Sequence, residues 1–232
     1  NLAKSLEQAN LRLQEIDRQK TEFMSIASHQ LRTPLSILKG FIELIEDGAY
    51  GKPTAKMIEA LNQMDQSNEH LVKLVDEFLD VTRIEQGRTK YDFVKCDLKD
   101  LVAGVVKEMR ERAKAKKLKL VWCPPKEHVS ANCDQEKIHH VVFNFIDNAI
   151  KYSDRGRVLV CLHGDGNGVT IKVKDCGIGF DKVDEANFFQ KFYRGENVKN
   201  SNVTGTGLGL FVCNKFVQAH QGKVWAKSSG LG

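Results

Sequence analysis

Residues 23–45 read FMSIASHQLRTPLSILKGFIELI. Placed at about 100° per residue, Phe23, Ala27, Leu31, Pro34, Leu38, Phe41 and Ile45 fall within one stripe about 80° wide, which predicts an amphipathic helix. His29 falls opposite that stripe, mid-helix and presented to solvent. Pro34 follows five residues later. Proline lacks the N–H that would bond the Gln30 carbonyl, so the helix can bend beside His29, a costly feature with no packing reason. Thr33 lies one turn beyond His29 on the same face, and Gln30 and Arg32 flank it.

Upstream, Leu2, Leu6, Ala9, Leu13 and Ile16 recur at steps of four and three and lead into Phe23 and Ala27, with Lys20 breaking the register. That is a coiled-coil seam. It runs from the first residue, so an upstream segment is expected to feed it. Downstream, Gly48-Ala49-Tyr50-Gly51-Lys52-Pro53 breaks the periodicity. A return helix starts near Thr54, carries Ile58, Leu61, Leu71, Val75, Phe78 and Ile84, and stops at Gly87. Two antiparallel helices bury too little by themselves, and two apolar seams predict a dimer that closes a four-helix bundle. Beyond Gly87 the pattern alternates between helices (98–117, 134–152, 207–221) and strands (near 118–123, 157–163, 168–175, 222–228), an α/β signature. Between them, 195–206, GENVKNSNVTGT, has only two apolar residues and reads as a mobile loop.

The 232 residues, 41% hydrophobic and 28% charged, fit two soluble globular domains and exclude a disordered chain. No apolar run approaches the roughly 18–20 residues of a bilayer span, and the start lacks a signal-peptide core. A cytoplasmic segment without membrane contact is therefore expected, with any tether supplied upstream. Six cysteines without a C-x-x-C pair point to reduced thiols rather than zinc or disulfides. Residues 1–88 hold 11 Lys/Arg against 14 Asp/Glu, leaving 24 against 16 for residues 89–232. The densest basic run, RERAKAKKLK (110–119), reads as the solvated C-terminal end of a helix rather than a nucleic-acid surface.

On the helix 134–152, Asn144, Asn148 and Lys151 project to one side, a donor set suited to a metal-bound polyphosphate. Magnesium needs only an asparagine oxygen, from Asn148, beside phosphate oxygens, and Lys151 would neutralise phosphate charge. Asp175 ends an apolar strand and is followed by Gly177 and Gly179. A carboxylate there can accept from an adenine amino group while the glycines admit the base. Gly205-Thr206-Gly207-Leu208-Gly209 opens a helix whose N–H groups can receive phosphates. His139 and His140 tempt a metal reading, but His140 simply extends the Asn144 face.

These stretches taken together resemble the sensor histidine kinases of two-component systems. Residues 23–35 resemble the H box, 144–153 the N box, 175–180 the G1 box, 188–195 the F box and 205–210 the G2 box. The resemblance spans nearly the whole chain, in family order. It implies a coiled-coil signalling helix (1–22), an all-α dimerisation and phosphotransfer hairpin (23–88), and an α/β sandwich ATP-binding domain (89–232) whose last strand is missing. It further implies that His29 accepts phosphate from magnesium-ATP and passes it to an aspartate on a response-regulator receiver domain. Asn148 would bind magnesium, Asp175 would read adenine, Lys151, Tyr152 and Arg194 would attend the nucleotide, and 195–206 would form a lid. Implied partners are a second copy and an upstream sensor domain. The usual acidic neighbour of the histidine is Gln30 here, which orients the ring but cannot act as a base. That departure keeps open a weakened kinase acting as a response-regulator phosphatase, with Thr33 orienting water, or as a nucleotide-responsive binding module. An ATPase of the related chaperone and topoisomerase superfamily would leave the H box without a purpose.

Overall fold

The computed structural model describes residues 2–165, 168–195, 198 and 205–230, without the side chains at 2, 3, 9, 21, 24, 25, 28 and 29. The chain divides into two compact units, Asn1–Thr89 and Lys90–Gly232.

The first unit is a helical hairpin. Helix α1 (Leu2–Glu46) continues through Pro34, and α2 (Ala55–Glu85) is capped by Thr54, whose Oγ1 accepts the Met57 N–H at 3.3 Å. Leu35, Ile42, Leu61 and Leu79 form the buried seam. Within it, Asn68 Nδ2 donates to the Leu35 carbonyl at 3.0 Å, and Arg32 pairs with Asp76 nearer the surface. The predicted apolar stripe is not the one that the hairpin covers: Phe23 is 69% exposed, and Leu31, Leu38 and Phe41 are also exposed. Leu35 and Ile42 lie about 60–80° around the helix from the stripe's centre. A single partner helix reaches only that flank, so the rest stays open, as do Leu6, Leu13 and Ile16 of the coiled-coil seam.

The second unit runs β1 (Val94–Asp97), α3 (Leu98–Glu108), α4 (Arg110–Ala115), β2 (Lys119–Cys123), β3 (Ser130–Cys133), α5 (Gln135–Lys151), β4 (Arg157–Gly164), β5 (Val169–Lys174), α6 (Lys182–Asn187) and α7 (Gly209–Ala219). Strands β1 and β3 pair antiparallel. In the larger sheet β4 is central, parallel to β2 and antiparallel to β5. Its alternation explains the layering: Val158, Val160 and Leu162 point into the core while Leu159, Cys161 and His163 face the other way. Those inward residues pack with Val102, Val105 and Val106 of α3 and Val142, Ile146 and Ile150 of α5.

Three expectations are corrected. The helix anticipated over 98–117 is two helices separated at Met109, which is 2% exposed. The strand anticipated at 222–228 forms no ladder among the described residues, because alternation alone cannot supply a neighbouring strand. The basic run at 110–119 is exposed as expected but is not simply a helix end: it runs from α4 into β2, and Arg112 pairs with Asp147 while Lys116 bonds the end of α5. Strands β1 and β3 were not anticipated, since four residues carry too little alternation to be read. Most of the predicted lid, 196–197 and 199–204, lies outside the described residues.

Candidate nucleotide site and phospho-acceptor helix

Helix α5 carries the polar set toward its C-terminal end. Asp134 caps its N-terminus by accepting from the Lys137 N–H at 3.0 Å. Asn144, 5% exposed, accepts from Asn148 Nδ2 at 3.0 Å. This bond orients Asn148 and leaves the Asn148 Oδ1 as a hard oxygen donor for a cation such as magnesium, which takes few protein ligands beside phosphate. Gly209 of α7 lies directly over Asn144: a Cβ on Gly209 would stand 2.6 Å from Asn144 Nδ2. Only glycine permits that approach.

Lys151 Nζ lies 2.9 Å from Asp147 Oδ2. Burial pushes the Tyr152 phenol up, with Arg194 opposing and Asp147 adding to the shift, which places Arg194 within electrostatic reach of Tyr152. The Tyr152 carbonyl accepts the Ile178 N–H at 3.1 Å. A Cβ on Gly177 would come within 2.6 Å of that carbonyl and 2.8 Å of Asp175 Oδ1. The G1 turn is therefore folded against the end of α5, and the Gly177 N–H donates to Asp175 Oδ1 at 2.8 Å. Gly179 packs against Gly230 and Ser228, whose Oγ accepts from the Phe180 N–H.

The glycine loop closes the other side. Phe192 N–H donates to the Gly207 carbonyl at 3.0 Å, joining the two ends of the 195–206 segment at its neck. Thr206 Oγ1 accepts the Leu208 N–H at 3.0 Å, whereas Gly205 is open, with nothing near its Cβ position. Leu208 gives α7 no side-chain cap, so the first N–H groups of that helix are available to an anion. Beneath the neck, Phe188 stacks edge-on with Phe180 at 4.6 Å and Tyr193 donates to Asp184 at 2.8 Å. The α5 residues, Asp175, Gly177 and the α7 glycines thus form one connected cradle.

In the hairpin unit Gln30 and Thr33 are exposed on α1. His29 lies in the same helix, and its side chain is outside the described residues.

A family described as "Histidine kinase-, DNA gyrase B-, and HSP90-like ATPase" matches residues 133–232, and the "His Kinase A (phospho-acceptor) domain" matches residues 19–87. The chain belongs to the sensor histidine kinases. The kinase is 32% identical over 221 residues to the "Sensor protein kinase WalK" of Staphylococcus aureus, covering 93% of this chain and 52% of that protein; a WalK of S. aureus strain Newman gives the same identity over 35% of its length. The chain therefore spans about a third to a half of these relatives. Among solved structures it is similar to full-length ShkA in complex with AMPPNP (TM-score 0.72, 26% identity, 91% of this chain and 44% of that one). It is also similar to the Acinetobacter baumannii kinase AdeS (TM-score 0.59, 27% identity, 88% and 92%). The matched ATPase family implies ATP binding. Among the described residues no helix is long and apolar enough to cross a membrane, and no cluster of three or more His, Cys, Asp or Glu could hold a metal.

His220 carries no readable signal in the sequence, yet it ties the start of α5 to α7. Its Nε2 accepts the Asp134 N–H at 2.9 Å and its Nδ1 donates to the Phe216 carbonyl at 2.7 Å. Tyr91 meets the ring edge-on and Phe93 lies against it at a tilt. His140 packs on Phe216 and His139 meets Glu108, so both are occupied structurally.

Proposed function

We propose that this chain is the kinase core of a two-component sensor: it transfers the γ-phosphoryl group of magnesium-ATP to His29 and from there to an aspartate of a response regulator. The observation that carries this reading is the contact of Asn144 with Gly209, which brings the Asn148 oxygen and the uncapped start of α7 to one cradle. Asn148 would hold magnesium, which supplies charge neutralisation at the phosphates. The α7 N–H groups would take phosphate oxygens and Lys151 and Arg194 would add positive charge. Asp175 would accept from the adenine amino group beside the Gly177 turn. Phosphoryl transfer needs positioning and charge stabilisation more than covalent help from the protein. At His29, Gln30 would hold the ring through its amide oxygen while Nε2 attacks phosphorus. The open stripe Phe23, Leu31, Leu38 and Phe41 supports a homodimer closing a four-helix bundle, with residues 1–22 entering it as a coiled coil from an upstream sensor.

The test is incubation with labelled magnesium-ATP. The expected product is an acid-labile, base-stable phosphoramidate that is absent from His29→Gln, with Asn148→Ala losing turnover more completely than nucleotide binding and Asp175→Ala losing affinity for adenine nucleotides. Undiminished labelling of His29→Gln, or equal affinity in Asp175→Ala, would overturn the assignment.

A further inference from the structure

Helix α4 and the residue after it reach across to the end of α5. Lys116 Nζ donates to the carbonyls of Ile150 and Lys151 at 3.2 and 2.8 Å, which anchors the backbone of the last turn. Arg112 Nη1 stands 3.0 Å from Asp147 Oδ1, and Lys151 Nζ stands 2.9 Å from the other oxygen, Oδ2. The Asp147 side chain is 1% exposed, that of Lys151 26% and that of Arg112 54%. A buried carboxylate thus sits between two cations, one of them the lysine assigned to phosphate.

This placement makes two demands on Lys151. To reach a phosphate its ammonium must leave Asp147, and a buried carboxylate stripped of its partner is strongly disfavoured. Arg112 removes that obstacle, since Asp147 keeps a cation when Lys151 departs. With Lys116 fixing the backbone, only the Lys151 side chain has to swing. The geometry points to a charge exchange in which Lys151 is parked on Asp147 and handed to the nucleotide phosphates while Arg112 stays with the carboxylate. Arg112 and Asp147 are positioning residues in this scheme, which rests on the reading of Lys151 as a phosphate ligand. A plain structural tie between α4 and α5 would use the same contacts but would not couple Arg112 to nucleotide.

The two roles separate by experiment on the full chain, with magnesium-ATP affinity measured by competition against a fluorescent ATP analogue and folding followed by thermal unfolding. Arg112→Ala throws Asp147 onto Lys151 and is expected to weaken ATP binding about tenfold, with Arg112→Lys recovering most of the loss. The double variant Arg112→Ala/Asp147→Asn removes the trap as well as the guard and is expected to return affinity to within about threefold of wild type. A merely structural loss gives no such recovery, because removing a second contact only loosens α4 further. In a Lys151→Ala background, Arg112→Gln, which keeps a donor beside Asp147, should change affinity no further, whereas Arg112→Gln alone should weaken binding, and this arm remains decisive if the double variant fails to fold. Lys151→Ala binding ATP as well as wild type would refute the underlying phosphate assignment. A tenfold loss in Lys151→Ala with no loss in Arg112→Ala, or equal losses by Arg112→Gln with and without Lys151, would overturn the exchange itself.

Discussion

Replacing Gly209 with alanine tests the joint on which the nucleotide cradle depends. The new Cβ would stand 2.6 Å from Asn144 Nδ2 and 3.2 Å from Oδ1, distances that force one partner to move. Asn144 is a short side chain, 5% exposed and bonded to Asn148, so it cannot swing into solvent. Overpacking of this kind costs about 1–3 kcal/mol, while alanine in a helix returns at most about 1 kcal/mol of backbone entropy. A net loss of about 1–2 kcal/mol should lower the unfolding midpoint of the catalytic unit by about 3–6 °C. Gly104, inside α3 with nothing within 4 Å of its Cβ position, is the control: Gly104→Ala should stabilise by about 0.5–1 kcal/mol. Calorimetry on both variants, with ATP-dependent labelling at a temperature where each is folded, reads the two consequences separately. Labelling in Gly209→Ala should fall further than the loss of folded protein explains, because displacing Asn144 releases Asn148. A Gly209→Ala midpoint at or above wild type, with labelling intact, would refute the reasoning.

Asp134 is pushed up by burial but held below its ordinary value by the N–H groups of Asp92 and Lys137 and the Lys137 charge. A lowered carboxyl contributes stability that is present above its unfolded value and lost as pH falls through the folded one, so Asp134→Asn, which keeps the cap but not the charge, should destabilise the unit at pH 7 and progressively less below about pH 4; urea titrations across that range should show the two proteins converging, and a constant gap would count against it. Gln30→Glu should raise the autophosphorylation rate by less than the 10²–10⁴-fold typical of a general base, with ATP affinity unchanged; single-turnover labelling at saturating ATP that comes out equal or slower would mean the amide is the favoured group. Cys176, exposed between Asp175 and Gly177, should be alkylated first, and more slowly with magnesium-ATP bound. The Cys133 thiol, pushed up to about 12 by burial and by Cys96, should stay unmodified in peptide mapping, and early labelling of Cys133 would contradict its placement.

The class of this protein was legible in order and periodicity. The stripe from Phe23 to Ile45 declares a long amphipathic helix, and the glycine pairs at 177/179 and 207/209 flag close backbone approaches; all of these are local and need only the chain's own dihedral and steric rules. What those approaches are for is not local. That Gly209 must be bare because Asn144 lies beneath it depends on α5 packing against α7, more than sixty positions apart in sequence. Arg112 and Lys116 read as a solvated basic run, yet the fold turns α4 so that one meets Asp147 and the other the last carbonyls of α5. His220 has no sequence neighbours that nominate it, and acquires its role from Asp134, 86 positions away. The alternation at 222–228 is sufficient for a strand, but a strand exists only when another backbone accepts its hydrogen bonds. Likewise the flank of α1 that is buried follows from where α2 lies, and the breadth of the apolar stripe could not decide it. Periodicity sets which residues share a face; only the tertiary partners determine which face is covered and which side chains are held for chemistry.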